Sequence, residues 1–112
     1  MLKSNNVLRL RYYFDAGSGI CLWSADEFTS KKLGYAVELD DLPLSSNTSK
    51  WLIYLIAWFD TSIDWTYPTQ TSLNWTHETA RNFKTAYIIG LRMIQADLAT
   101  SNFEIIPDEQ YY

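Results

Sequence analysis

The chain of 112 residues reads as one α+β domain over 1–112: a small, mainly antiparallel sheet with two main helices and one short helix packed against it. Three observations predict this class. An alternating segment near the start is followed by a glycine turn and a returning apolar stretch. Two later segments carry apolar residues at spacings of three and four, and a short apolar run closes the pattern just before Pro107.

Taken in order, residues 7–14 read V-L-R-L-R-Y-Y-F, with Leu8, Leu10 and Tyr12 alternating against Arg9, Arg11 and Tyr13. That period of two is the mark of a half-buried strand. Residues 15–19 form a turn whose two glycines are free to take positive φ, and 20–23 return as a second strand. Ser24 is expected to cap a short helix, with Asp26 and Glu27 in its first turn, Lys31 and Lys32 in its last, and Gly34 as its stop. Residues 35–44 alternate acidic and apolar side chains, which predicts a short strand running into an extended loop.

The serines and threonines of 45–49 offer caps for a helix over 48–60, where Trp51, Leu52, Leu55, Ile56 and Phe59 fall at helical spacing. Because Ile53, Tyr54 and Trp58 fill its other sides, this helix is expected to be central and covered on most of its surface. Residues 64–75 read as an aromatic loop. Thr76 then opens the longest helix, with Glu78 in its first turn and a stripe of Ala80, Phe83, Tyr87, Leu91, Ile94 and Leu98. A last strand over 103–106 is stopped by Pro107; strand order does not follow from the pattern.

Composition narrows the function classes. At 47% hydrophobic and 16% aromatic the chain can fill a real core, and five tryptophans with eight tyrosines leave some for the surface. A formal net charge of −4 lacks the basic footprint of a nucleic-acid binder, so nucleic acid is not expected as a direct ligand. The sign suits a basic protein partner instead. Cys21 is the only cysteine, which excludes an intramolecular disulfide. Lys3, Arg9 and Arg11 interrupt the span where a signal peptide places its apolar run, and the richest apolar stretch, 51–59, falls well short of the roughly 18 residues of a membrane span. A cytoplasmic protein away from the membrane is expected.

The search for chemistry finds little. His77 is the only histidine, at the first turn of a helix, and no nucleophile elbow or glycine-rich oxyanion segment accompanies it. One histidine and one cysteine without repeated spacing argue against zinc, and no phosphate-cradling glycine loop is present. Catalytic residues, metal and cofactor are therefore expected to be none.

The carboxylates say more. Glu38, Asp40 and Asp41 lie between Lys32 and Lys50, and Asp60, Asp64 and Glu78 between Lys50 and Arg81, without an intervening lysine or arginine in either stretch. Asp60 falls near the C-terminus of the apolar helix, where the helix dipole disfavours an anion by roughly 0.3–1 kcal/mol, so something is expected to compensate it. Capping, contact with a partner, and acid–base work with Asp64 are three roles consistent with its position.

Several runs carry a resemblance: Cys21-Leu22-Trp23, Leu33-Gly34-Tyr35-Ala36-Val37, Asp41-Leu42-Pro43-Leu44-Ser45, and above all Trp58-Phe59-Asp60-Thr61-Ser62-Ile63-Asp64-Trp65 before Pro68 and Trp75. Over roughly residues 10–106 the chain resembles a family of small bacterial proteins that look like immunity proteins of polymorphic toxin systems, including contact-dependent growth inhibition. The resemblance implies a cytoplasmic inhibitor that binds the C-terminal domain of a cognate toxin, with a basic-grooved nuclease as the expected class. It implies a monomer acting by occlusion in a one-to-one complex, with no catalytic residue carried over.

Charge and aromatic content then give the candidate contacts as Asp40, Asp41, Asp60, Asp64, Trp65 and Tyr67. Two other readings compete. One is a non-enzymatic interaction or scaffold domain, homodimeric through exposed tryptophans; the other is a small hydrolase using Asp60 and Asp64.

Overall fold

The computed structural model describes residues 7–63 and 74–111. Strand β1 (Leu8–Tyr12) is central in a three-stranded sheet, flanked by β2 (Leu22–Ser24) and β3 (Phe103–Pro107). Helices α1 (Glu27–Leu33), α2 (Ser46–Asp60) and α3 (His77–Asp97) complete an α+β fold. β1 and β2 pair antiparallel with Arg11 opposite Trp23, the expected hairpin. β3 joins the other edge of β1 in parallel, with Leu10 opposite Ile105, so the sheet is mixed.

Alternation along β1 decides which side is core. Leu10 and Tyr12 are fully buried, together with Leu22 of β2. They meet Leu52 and Leu55 of α2 and Phe83, Tyr87, Leu91 and Ile94 of α3, all equally buried. The two long helices thus cover one face of the sheet. Burying each such side chain is worth about 1.5–3 kcal/mol, and these residues supply most of the cohesion between the layers.

A tyrosine pair fastens the layers together. Tyr12 and Tyr87 stack with ring centroids 4.2 Å apart. The Tyr12 hydroxyl donates to the Tyr87 carbonyl at 3.1 Å, and the Tyr87 hydroxyl donates to the Tyr12 carbonyl at 2.6 Å. The Tyr87 hydroxyl also accepts from the Asp108 backbone N–H at 2.8 Å. It therefore stands where the next rung of the β1–β3 ladder would fall, and pairs the buried Tyr12 carbonyl and the partly buried Asp108 N–H. Burial raises both phenols well above the ordinary tyrosine range. The close approach is made at Gly90, where an added methyl would overlap the Tyr12 hydroxyl and crowd Leu55 Cδ1 at 3.2 Å and Trp51 Cδ1 at 3.3 Å.

Four expectations need correcting or refining. Ser24 does not cap α1: it ends β2, its hydroxyl bonding the Gly34 carbonyl at 2.6 Å. Asp26 is the cap instead, accepting from the Thr29 N–H at 2.8 Å, because the chain leaves the strand two residues later than its polar pattern suggests. Residues 35–44 form no strand; Ala36 makes a single antiparallel bridge to Trp23, and Leu39–Asp41 close a 3-10 turn.

Helix α2 begins two residues earlier than expected, at a cap whose Ser45 hydroxyl accepts from the Thr48 N–H. It is also not covered on most of its surface. Ile53 and Tyr54 are 58% and 56% exposed, because α3 and the sheet occupy only one side of it.

Candidate partner-binding surface

The outward ridge of α2 follows from helical geometry. With Leu52 and Leu55 turned into the core, the positions between them, Ile53 and Tyr54, turn to solvent, and Ala57 follows one turn later. On one flank Tyr54 touches Trp51 and Trp58, with ring centroids 5.7 Å and 5.9 Å away. Trp51 is fixed by its indole N–H, which donates to the Ala86 carbonyl of α3 at 3.2 Å. On the other flank a groove of about 170 Å³ separates Ile53 and Ile56 from the 3-10 turn, with Glu38, Leu39 and Asp40 forming its far wall.

Asp40 and Asp41 are exposed on that turn, which is closed by the Asp41 N–H donating to the Glu38 carbonyl at 3.0 Å. Val37 and Leu42, both buried, pin its two ends to the core. The acidic residues are thereby held at the margin of an apolar strip. Large exposed apolar groups beside a carboxylate rim suit a partner that brings both an apolar contact and positive charge.

Asp60 has a different place. Its Oδ1 accepts from the Gly17 backbone N–H at 2.8 Å, tying the β1–β2 turn to the end of α2. The glycine sits at φ 85°, which lets the turn aim that N–H at the helix end. This is the compensation an anion at a helix C-terminus calls for. Asp97, the last residue of α3, follows the same plan: it accepts from the Ser45 N–H at 2.8 Å, at the start of α2. Hydrogen bonds from the Thr48 side chain and then the Ser45 backbone hold its carboxyl below the usual carboxylate range.

Asp64, Trp65 and Tyr67 lie outside the described residues, so of the six candidates the structure brings Asp40 and Asp41 together and sets Asp60 apart at the hairpin tie. Trp58 and Trp75 are half-buried in an aromatic cluster with Phe59 and Phe83. The Trp75 indole N–H donates to Thr61 Oγ1 at 2.8 Å, and that hydroxyl donates to the Trp58 carbonyl at 2.6 Å, which closes the corner after α2. Sequence reasoning missed Ile53, Tyr54 and Glu38 as surface contributors. The available signal was that Ile53 and Tyr54 fall between the two leucines of the core stripe.

The chemistry-bearing residues are dispersed. His77 is exposed at the first position of α3, and Cys21 is buried, its thiol pushed up to about 12 by burial. Among the described residues no three His, Cys, Asp or Glu side chains gather as a metal site, and no helix is long and apolar enough to cross a membrane. On the outer face of the sheet Tyr13 stacks on Trp23 at 5.0 Å, and burial, with a hydrogen bond to Tyr35, pushes its phenol up to about 12. No family model matches the chain, and no curated protein matches it.

Proposed function

We propose that this protein is a cytoplasmic immunity protein, which binds a cognate toxin domain and neutralises it by covering its active or substrate-binding surface. The observation that carries the reading is the exposed Ile53–Tyr54 ridge of α2, set beside the acidic wall of Glu38 and Asp40, with Asp41 exposed next to them on the same turn. A tyrosine backed by two tryptophans is a rigid anchor that loses little side-chain entropy on binding, and tyrosine and tryptophan dominate interface energetics. The acidic wall complements a basic substrate groove and speeds encounter with it, as the net charge of −4 does at longer range. The toxin is expected to be a nuclease, and the protein to act without catalysis, one copy per toxin domain.

The test is co-expression. The C-terminal domain encoded by the adjacent upstream gene is induced in bacteria with and without this protein, and complexes are recovered by affinity purification. Growth arrest relieved only in its presence, with an equimolar complex recovered, supports the reading; a folded Tyr54→Ala, Asp40→Lys variant is expected to protect poorly. A toxin domain that this protein neither relieves nor binds would remove the reading for that pair and favour a scaffold protein with an unrelated partner.

A further inference from the structure

The free edge of β3 carries a second inference, independent of the α2 surface. Backbone groups of alternate strand residues point to opposite edges. The Leu8 N–H donates to the Asn102 carbonyl at 3.0 Å, and the Asp108 N–H meets the Tyr87 hydroxyl that is bonded to Tyr12. Even-numbered residues of this segment therefore face β1, and Phe103, Ile105 and Pro107 direct their main-chain groups away from the sheet. Among the described residues β3 has no second neighbouring strand, and Phe103 and Ile105 are each only partly buried.

Pro107 stands at a position whose missing N–H costs the β1–β3 ladder nothing, as prolines at sheet edges do. The usual guards of an exposed edge are otherwise sparse. The strand's one charge, Glu104, is drawn onto the outer face by Arg9, whose Nε donates to it at 2.7 Å.

We propose that a second copy of this chain pairs with β3, antiparallel about a two-fold axis at Ile105. This register keeps every side chain on its own face, since Glu104 falls opposite Ile106 of the other copy and Phe103 opposite its Pro107. It engages each outward donor. The two Ile105 residues exchange N–H to carbonyl bonds, and each Phe103 N–H donates to the other copy's Pro107 carbonyl. The absent N–H of Pro107 then ends the pairing, so the contact closes as a dimer with a continuous sheet and does not propagate. A contact of this length is small, and it makes a weak dimer that forms at high protein concentration.

The register predicts opposite effects from one position. Ile106→Glu sets a carboxylate against Glu104 of the other copy at two symmetric places, and Ile106→Lys sets an ammonium there. Sedimentation velocity on the full chain, from low micromolar to near-millimolar concentration, should show the mass rising from 13.1 kDa toward twice that value. Ile106→Glu should weaken association by about tenfold and Ile106→Lys strengthen it several-fold, with far-ultraviolet circular dichroism confirming that both are folded. The Phe103 and Ile105 amides should gain hydrogen-exchange protection as concentration rises. A monomer throughout that range would overturn the proposal, as would a dimer indifferent to residue 106 and abolished by Tyr54→Glu. Protection of those two amides only when another protein is added would overturn it in favour of a strand donated by that partner.

Discussion

Replacing Gly90 by alanine tests the tyrosine clasp that holds the helices to the sheet. In an isolated helix this change stabilises by about 1 kcal/mol. Here the new methyl would overlap the Tyr12 hydroxyl and press on Leu55 and Trp51. Overpacking a filled core costs about 1–3 kcal/mol. Displacing the Tyr12 hydroxyl from the Tyr87 carbonyl leaves a buried donor unpaired, at a further cost of about 1–3 kcal/mol. Set against the propensity gain, the net expectation is a loss of about 1–5 kcal/mol, or a thermal midpoint lowered by about 5–20 °C.

Urea denaturation gives the free energy, and an unchanged slope checks that the unfolded state is unaltered. Tyr12→Phe supplies the control. Alone it should destabilise by about 1 kcal/mol, but in the alanine background it should restore stability by removing the oxygen that the methyl strikes. Gly90→Ala at or above wild-type stability would refute the reasoning. So would a Tyr12→Phe cost that is the same in both backgrounds.

Three further outcomes are expected. Asp60→Ala should lose about 1 kcal/mol and speed hydrogen exchange at the Gly17 amide, whereas Asp60→Asn, which keeps an acceptor, should not; equal behaviour of the two would contradict the hairpin tie. Asp26 and Asp97 are held below their usual carboxylate range, the first by the Thr29 backbone and side chain and then Arg9, the second by Thr48 and Ser45. Their contribution is therefore present above the unfolded-state value of about 4 and is lost as pH falls through the folded-state values; Asn at both sites should flatten that acid limb in pH-dependent urea titrations. Cys21, 1% exposed with its thiol raised by burial, should react with a disulfide reagent only at the rate of opening, so labelling as fast as a free thiol in the native state would contradict its placement.

Much of the fold was legible because local rules agreed with one another. Alternation in 7–14, the turn glycines, the capping residues of 45–49 and Thr76 located β1, the hairpin and both long helices to within about two residues. Ser24 misled because strand β2 runs on through it and Asp26 offers a better acceptor. The parallel docking of β3 was not legible, since it depends on how both long helices cross the sheet.

The surface was harder to read. α2 has apolar residues all around it, and only the two-layer arrangement decides that Leu52 and Leu55 go inward while Ile53 and Tyr54 stay out. Asp60 could be identified as anomalous from its place near a helix end, but its partner Gly17 lies 43 residues away and is brought to it only by the fold. Asp40 and Asp41 were identified by charge alone, whereas Ile53, which lines the groove with Asp40, comes from a different element.

The central claim is that the α2 ridge and its acidic wall bind a basic toxin domain. Titration calorimetry of the purified toxin domain with the wild-type protein and with Tyr54→Ala, Asp40→Lys tests it most directly. The account predicts equimolar binding with a dissociation constant of about nanomolar or lower, weakened by about a hundredfold or more in the variant, and an association rate that falls steeply as salt rises. Tight binding that the variant leaves unchanged would contradict the surface assigned here, and the absence of binding would contradict the function.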